Sequence, residues 1–107
     1  MAPDRRPRYR LAAQAELIEA ATRYEAASDG LGADFIKAID DALAVVIASP
    51  ERWPLAPRVS PPYRVHRYLL KRFPFSVVYR LVGEGELEVP AVAHQKRRPG
   101  YWTMRLP

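Results

Sequence analysis

Residues 92–102, with the sequence VAHQKRRPGYW, bring together a histidine, three basic side chains and two adjacent aromatic rings. These residue types can handle a phosphate group. A guanidinium fork binds two phosphate oxygens and stays charged at any working pH, and the imidazole of His94 can transfer a proton near neutral pH. The alternative is a solvated tail after the last strand, with Tyr101 and Trp102 covering the sheet edge as core residues.

The composition restricts the chemistry that this cluster can do. The 107 residues include no cysteine and only two histidines, which excludes thiolate nucleophiles and leaves few ligands for a transition metal. With 49% hydrophobic and 27% charged residues, the chain is typical of one soluble domain over residues 1–107. It has neither an apolar run long enough to span a membrane nor an apolar signal segment. We therefore expect a cytoplasmic protein with no metal, no cofactor and no membrane partner.

The formal net charge of +5 is unevenly distributed along the chain. Residues 1–50 carry 6 basic and 8 acidic side chains and thus a net charge of −2, whereas residues 51–107 carry 11 basic and 4 acidic ones and thus +7. A positive second half would attract a polyanion or an acidic protein. The alternative is a charge that serves only solubility, and placement on the fold must decide between them.

Two amphipathic helices are predicted in the acidic half. Apolar residues recur at helical spacing over residues 13–27 and 35–47, with Glu16 on the water side of the first segment. The turn residues SDGLG separate the two segments, and Pro50 ends the second one. Residues 1–8 are expected to form a flexible N-terminus, and Tyr9 to begin a short edge strand.

An antiparallel meander is predicted in the basic half. Its clearest strand is FPFSVVYRL, in which Phe73, Phe75, Val77, Tyr79 and Leu81 lie on one side and Ser76, Val78 and Arg80 on the other. A GEG turn leads into LEVPAVAH, with Leu87, Val89, Ala91 and Ala93 on one side and Glu88, Val92 and His94 on the other. The segment 63–72 supplies the first strand, although its alternation is poor. The proline-rich connection 50–62 is expected to lie on the surface, pinned by Trp53.

These elements predict an α+β fold in which the helical hairpin packs on one face of a small antiparallel sheet. The opposite face is then left uncovered. On that face we expect Arg80 and His94, with Arg72 as a further candidate and the C-terminal cluster beside them. Pro90 lacks a ladder donor, so it predicts a bulge or an exposed edge in the last strand.

Five strings in this order resemble the RelE/ParE superfamily of bacterial toxins from type II toxin-antitoxin systems. They are AELIEAATRYE, LGADFIKAIDDAL, SPERWP, KRFPFSVVYRL and VPAVAHQKRRPGYW, and the resemblance covers residues 9–105. It implies a small toxin that an antitoxin partner neutralises by wrapping the helices or by filling the basic face.

The resemblance implies two possible mechanisms. ParE-like toxins bind and poison DNA gyrase without doing chemistry, whereas RelE-like toxins cut messenger RNA on the ribosome. The string AVAHQKRRPGYW is closer to ParE-like sequences, so we favour gyrase binding and keep RNA cleavage as the alternative. Neither mechanism requires a small-molecule substrate.

The two mechanisms assign different roles to the same residues. Metal-free RNA cleavage needs proton transfer and stabilisation of negative charge on the phosphate, and the candidates for these tasks are Arg80, His94, Arg97 and Tyr101. By the resemblance, Arg97 and Tyr101 match a pair in RelE-like ribonucleases, although Gln95 stands where such enzymes often have a basic residue. The candidates for binding the target or its phosphates are Arg72, Lys96, Arg98, Trp102 and Arg105.

Overall fold

The structure, a computed structural model, describes residues 7–83 and 85–107. The elements follow one another as β1 (Pro7–Tyr9), α1 (Leu11–Ala27), α2 (Leu31–Ala48), β2 (His66–Leu69), β3 (Phe75–Val82), β4 (Glu86–His94) and a 3-10 turn (Thr103–Arg105). Most of the predicted flexible terminus, residues 1–6, lies outside the described residues. Pro7 and Arg8 belong to β1, so the edge strand begins before Tyr9.

The four strands form one sheet in the order β1-β4-β3-β2. β2, β3 and β4 make the predicted antiparallel meander. β1 pairs in parallel with β4, from Pro7 opposite Leu87 to Tyr9 opposite Val89. The sheet is therefore mixed, because the helical hairpin carries the chain from β1 across one face before the meander begins. The α+β class is confirmed.

The helical hairpin packs on the predicted face of the sheet. Phe35, Ile39 and Val46 of α2 are fully buried against the sheet side that carries Val77 and Tyr79. α1 and α2 come so close that a Cβ on Gly32 would lie 2.6 Å from the Ala21 carbonyl oxygen, so this position requires glycine. No helix of the described residues has the length and apolar character needed to cross a membrane.

The register of β3 and β4 shifts at Pro90. Val78 pairs with Ala91, whereas Arg80 pairs with Glu88. β4 thus has one more residue than β3 over this stretch, as in a β-bulge. Proline suits the extra position because it has no N–H to contribute to the ladder.

The extra residue reverses the facing of the second half of β4. Leu87 and Val89 lie on the helix side, but Ala91 and Ala93 lie on the opposite side with Trp102. The prediction that these four strand residues share one side is therefore wrong. By the same reversal His94, directly opposite Phe75, faces the helices.

The sheet face opposite the helices is covered, and the prediction of an open face is wrong. A second apolar cluster joins the sheet to the connection after α2 and to the C-terminal segment; its buried members are Ala56, Val65, Val78, Ala91, Ala93 and Trp102. The sequence predicts a packed connection at the surface. It folds under the sheet, where it and the Trp102 ring bury apolar area that two helices on the other face cannot reach.

Trp53 holds this connection in place as predicted. Its ring meets Tyr68 edge-on with 4.7 Å between the ring centroids. Its carbonyl oxygen accepts a hydrogen bond of 2.7 Å from Nδ1 of the buried His66, whose ring stacks on Tyr79.

Candidate functional site at the C-terminal end of the sheet

Glu16 of α1 is the centre of the polar contacts at the C-terminal end of β4. Its Oε1 accepts the backbone N–H of Val92 at 3.1 Å and a guanidinium N–H of Arg105 at 2.8 Å. Its Oε2 accepts the hydroxyl of Tyr101 and lies 3.9 Å from the Arg97 guanidinium. The Glu16 side chain is only 16% exposed. The prediction that Glu16 lies on the water side of the helix is therefore wrong.

These contacts replace a missing strand. β1 pairs with β4 only as far as Val89, so the edge beyond it has no backbone partner of that kind. The N–H of Val92 instead donates to Glu16. The carbonyl oxygen of Pro90 accepts a hydrogen bond of 3.1 Å from Arg105. These hydrogen bonds matter because a buried backbone group without a partner is costly. They tie the C-terminal segment to both the sheet and α1.

The Tyr101 hydroxyl is committed to this network. Burial, together with the hydrogen bond to the Glu16 carboxylate, raises the pKa of Tyr101 well above its ordinary value. The Arg97 guanidinium carbon lies 3.8 Å from the centre of the Tyr101 ring, which fixes the arginine by a cation–π contact. Tyr101 therefore orients Arg97, and it retains its own proton, which it donates in the hydrogen bond to Glu16.

A small cavity opens beside this network, on the face opposite the helices. Its volume is about 60 Å³, and three arginines line it: Arg67 from β2 and Arg97 and Arg98 from the C-terminal segment. Ser76 and Gln95 add polar groups to its wall. No carboxylate of the described residues lines it. We call this cavity the arginine pocket.

His94 lies at the end of the sheet, between the arginine pocket and a groove beside α1. Its ring packs edge-on against Phe75 at 5.1 Å, on the helix face. Its Nδ1 accepts the backbone N–H of Lys96 at 3.1 Å, a role that leaves the neutral ring's proton on Nε2. No cluster of His, Asp and Glu among the described residues could hold a metal ion.

Arg80 and Arg72 lie away from this cluster. Arg80 donates to Glu88 at 2.9 Å near the β3–β4 turn, and each side chain of this pair is 16% exposed. Arg72 pairs with Asp34 at the start of α2 at 3.1 Å and lies over the Phe73 ring. Arg80 lies on the face opposite the helices, as predicted, over the Tyr63 ring of the second apolar cluster. The prediction that Arg80 and Arg72 lie beside the C-terminal cluster is wrong, because each pairs with a carboxylate in a different part of the fold.

The remaining candidates divide between core and surface. Trp102 is 4% exposed in the second apolar cluster, so its ring cannot stack on a base. Arg105 is held by Glu16. Lys96 and Arg98 are exposed. The structure thus brings Arg97, Arg98 and Tyr101 together around one cavity and separates Arg80 and Arg72 from them.

Two residues of this site, Glu16 and Arg67, were not among the sequence candidates. Arg67 belongs to the segment whose alternation was too irregular to assign faces. Its charge was nevertheless part of the basic excess of the second half. For Glu16 the available signal was that the first helix carries a carboxylate and the C-terminal end of the chain carries several arginines that could pair with it.

An apolar groove runs along the outer side of the helical hairpin. Its volume is about 530 Å³, and Ile18 and Ile36 form its opposite walls above the small residues Ala21, Gly32 and Ala33. Ile18 is 58% exposed and Ile36 is 43% exposed. We call this feature the hairpin groove.

Comparisons with known proteins agree with this fold. The family model described as "ParE toxin of type II toxin-antitoxin system, parDE" matches residues 8–99. The fold is similar to a chain in a structure titled "Chromosomal ParDE TA system from P. aeruginosa", with a TM-score of 0.57 and 21% identity over 88% of this chain and 96% of that one. No curated protein sequence matches the chain. Because the family model covers most of its length, the chain belongs to the ParE toxin family of type II toxin-antitoxin systems.

Proposed function

We propose that this toxin inhibits growth by binding DNA gyrase as a docking protein, without cutting RNA. The family supports a toxin partnered by an antitoxin, and gyrase is the target that resemblance to ParE-like toxins implies. Docking needs only a stable, complementary surface. Arginine and aromatic side chains are the usual anchors of such surfaces.

Of the four candidate catalytic residues, His94, Arg97 and Tyr101 line one cavity. The separation of Arg80 from them and the engagement of the Tyr101 proton carry this choice. A ribonuclease of this kind needs its phosphate-binding arginine and its proton donor or acceptor within reach of one bond. Arg80 is instead paired with Glu88 beside the β3–β4 turn, whereas Tyr101 is at the other end of β4, bonded to Glu16. The Tyr101 proton is thus engaged within the fold, and this favours binding over RNA cleavage.

Supercoiling by purified gyrase tests the proposal. An excess of the purified toxin should abolish supercoiling and accumulate cleaved DNA complexes. The variant Tyr101→Phe removes one hydroxyl and should keep most of this inhibition, since the ring and its contact with Arg97 remain. Normal supercoiling at excess wild-type toxin would overturn the proposal. Messenger RNA cut by wild-type toxin and left intact by Tyr101→Phe would point to the ribonuclease.

We also propose that the antitoxin occupies the hairpin groove. The family implies such a partner, and the groove presents two half-exposed isoleucines, Ile18 and Ile36, above a floor of small residues. Apolar side chains grouped on a surface favour burial by a partner. A groove between two helices suits the apolar face of an amphipathic helix.

Substitution of the groove walls tests this placement. Ile18→Asp and Ile36→Asp should each weaken binding of the cognate antitoxin by at least about tenfold, because a carboxylate would be buried in an apolar contact. Leu11→Asp is the matched control, since Leu11 is 85% exposed and lies on α1 outside the groove. Titration calorimetry on folded variants gives the affinities. Equal affinity in Ile18→Asp and Leu11→Asp would exclude the groove as the binding site.

A further inference from the structure

Three arginines line the arginine pocket, and no carboxylate of the described residues does; of the three, Arg97 approaches one outside the pocket, with the Glu16 Oε2 at 3.9 Å. Among the described residues, most arginines near the sheet have a carboxylate partner, as in the pairs Arg80–Glu88, Arg72–Asp34 and Arg105–Glu16. No carboxylate of the described chain pairs with Arg67 or Arg98.

The closeness of these arginines makes this imbalance unfavourable for the free protein. Arg67 is only partly exposed, and it shares a small cavity with Arg97 and Arg98. Like charges that line one cavity repel one another, and the repulsion grows as water is excluded. An anion bound in the pocket would relieve it.

The size and donors of the pocket fit a tetrahedral oxyanion. A volume of about 60 Å³ accommodates roughly four to six water-sized groups, which is enough for the four oxygens of one phosphate group. Guanidinium forks bind phosphate oxygens in pairs, and the side chains of Ser76 and Gln95 add neutral polar groups to the wall.

Two further basic residues lie next to residues that line the pocket. Lys96 is exposed next to Arg97. The Arg58 side chain lies close to Gly100, since a Cβ on that glycine would be 3.5 Å from the Arg58 Cβ. Further cations near a phosphate-sized cavity fit a chain of phosphates better than a single anion.

We propose that the arginine pocket binds a backbone phosphate of a nucleic acid, with Arg67, Arg97 and Arg98 as its ligands. This site is separate from the hairpin groove proposed for the antitoxin, whereas Arg97 and Tyr101, whose contact the gyrase test retains, line it. The inference does not rest on gyrase binding, because nucleic acid alone is the ligand in its test.

Fluorescence anisotropy with a short labelled DNA duplex, and with one of its single strands, tests this site on the purified full chain. Arg67→Gln and Arg98→Gln should each weaken binding by at least about fivefold. For the duplex, each should also make the negative slope of log affinity against log salt shallower by about 0.9, the value for one lost phosphate contact. Arg98 is exposed, so its variant remains informative if Arg67→Gln folds poorly.

Two matched controls remove the same charge elsewhere. Lys71→Gln acts in a groove beside α2, and Arg80→Gln acts at the Glu88 pair; neither should change affinity by more than about twofold. If either control weakened binding as much as Arg67→Gln or Arg98→Gln does, the overall positive charge and not the pocket would attract DNA. That result would overturn the proposal. Two other results would also overturn it: no binding of either oligonucleotide at low salt, or binding of inorganic phosphate or polyglutamate as tight as that of the oligonucleotides.

Discussion

The two ends of the β3–β4 ladder differ in how their charges are balanced. Beside the turn, Arg80 and Arg10 share Glu88, at 2.9 Å and 3.7 Å. At the other end Glu16 is the carboxylate in contact with the C-terminal segment, and Arg67 and Arg98 line a cavity without a described carboxylate partner. The positive excess of the second half is thus concentrated at one end. Local balance, more than total charge, distinguishes a structural arginine from one available to a ligand.

Among the substitutions that test this comparison, removal of the Trp102 ring should lower the free energy of unfolding most. Trp102→Ala empties a buried site beneath the sheet and should lower the free energy of unfolding by about 3–5 kcal/mol, the usual cost of a large ring deleted from a core. Urea denaturation followed by circular dichroism measures the change. Met104→Ala is the control from the same segment, because Met104 is 95% exposed, and it should stay within about 0.5 kcal/mol of wild type. If Trp102→Ala also stayed within about 0.5 kcal/mol of wild type, the C-terminal segment would not cover the sheet in solution.

Loss of the Glu16 carboxylate should have the next largest effect. Glu16→Ala leaves the Val92 N–H, the Tyr101 hydroxyl and the Arg105 guanidinium without this acceptor, and should cost about 2–3 kcal/mol. Arg80→Ala at the other end should cost about 1 kcal/mol, because Glu88 keeps Arg10 as a partner. The same denaturation experiment compares the two ends directly.

Glu19→Ala is the matched control for Glu16. Glu19 lies one turn further along α1, and its pair with Arg23 is exposed, so its loss should cost no more than about 0.5 kcal/mol. If Glu16→Ala were no more costly than Glu19→Ala, the network around Glu16 would not hold the C-terminal segment.

The fold class could be predicted from the sequence because the strongest patterns are local. The alternation of Phe75, Val77 and Tyr79 in β3 and the helical spacing around Phe35 and Ile39 identify the faces that meet in the main core. These faces bury enough apolar area to determine the packing with no information on the rest of the chain.

The facing of His94 could not be predicted correctly, because one residue at the Pro90 bulge reverses every later side chain of β4. Proline showed that the ladder is interrupted, but not whether the strand would resume in the same phase. The covered second face was missed for a different reason. Proline-rich segments lack periodicity, so nothing local in residues 50–62 predicts that Ala56 is buried.

The partners of Glu16 and Arg67 depend on contacts between distant parts of the chain. Glu16 meets Tyr101 and Arg105 across more than 80 residues, and the first helix gives no sign of them. Arg67 approaches Arg97 and Arg98 only because the C-terminal segment turns back under the sheet. The sequence could therefore indicate that a basic site exists near residues 92–102, but not which arginines compose it.

The shortness of β1 has a consequence for assembly. A bare strand edge invites a strand from another molecule, and this is a common route to aggregation. Beyond Val89 the edge of β4 offers no such template: Pro90 has no N–H, its carbonyl oxygen is occupied by Arg105, and the Val92 N–H is occupied by Glu16. These contacts therefore hinder edge-to-edge pairing of strands at this part of β4 even when the toxin is not bound to its antitoxin.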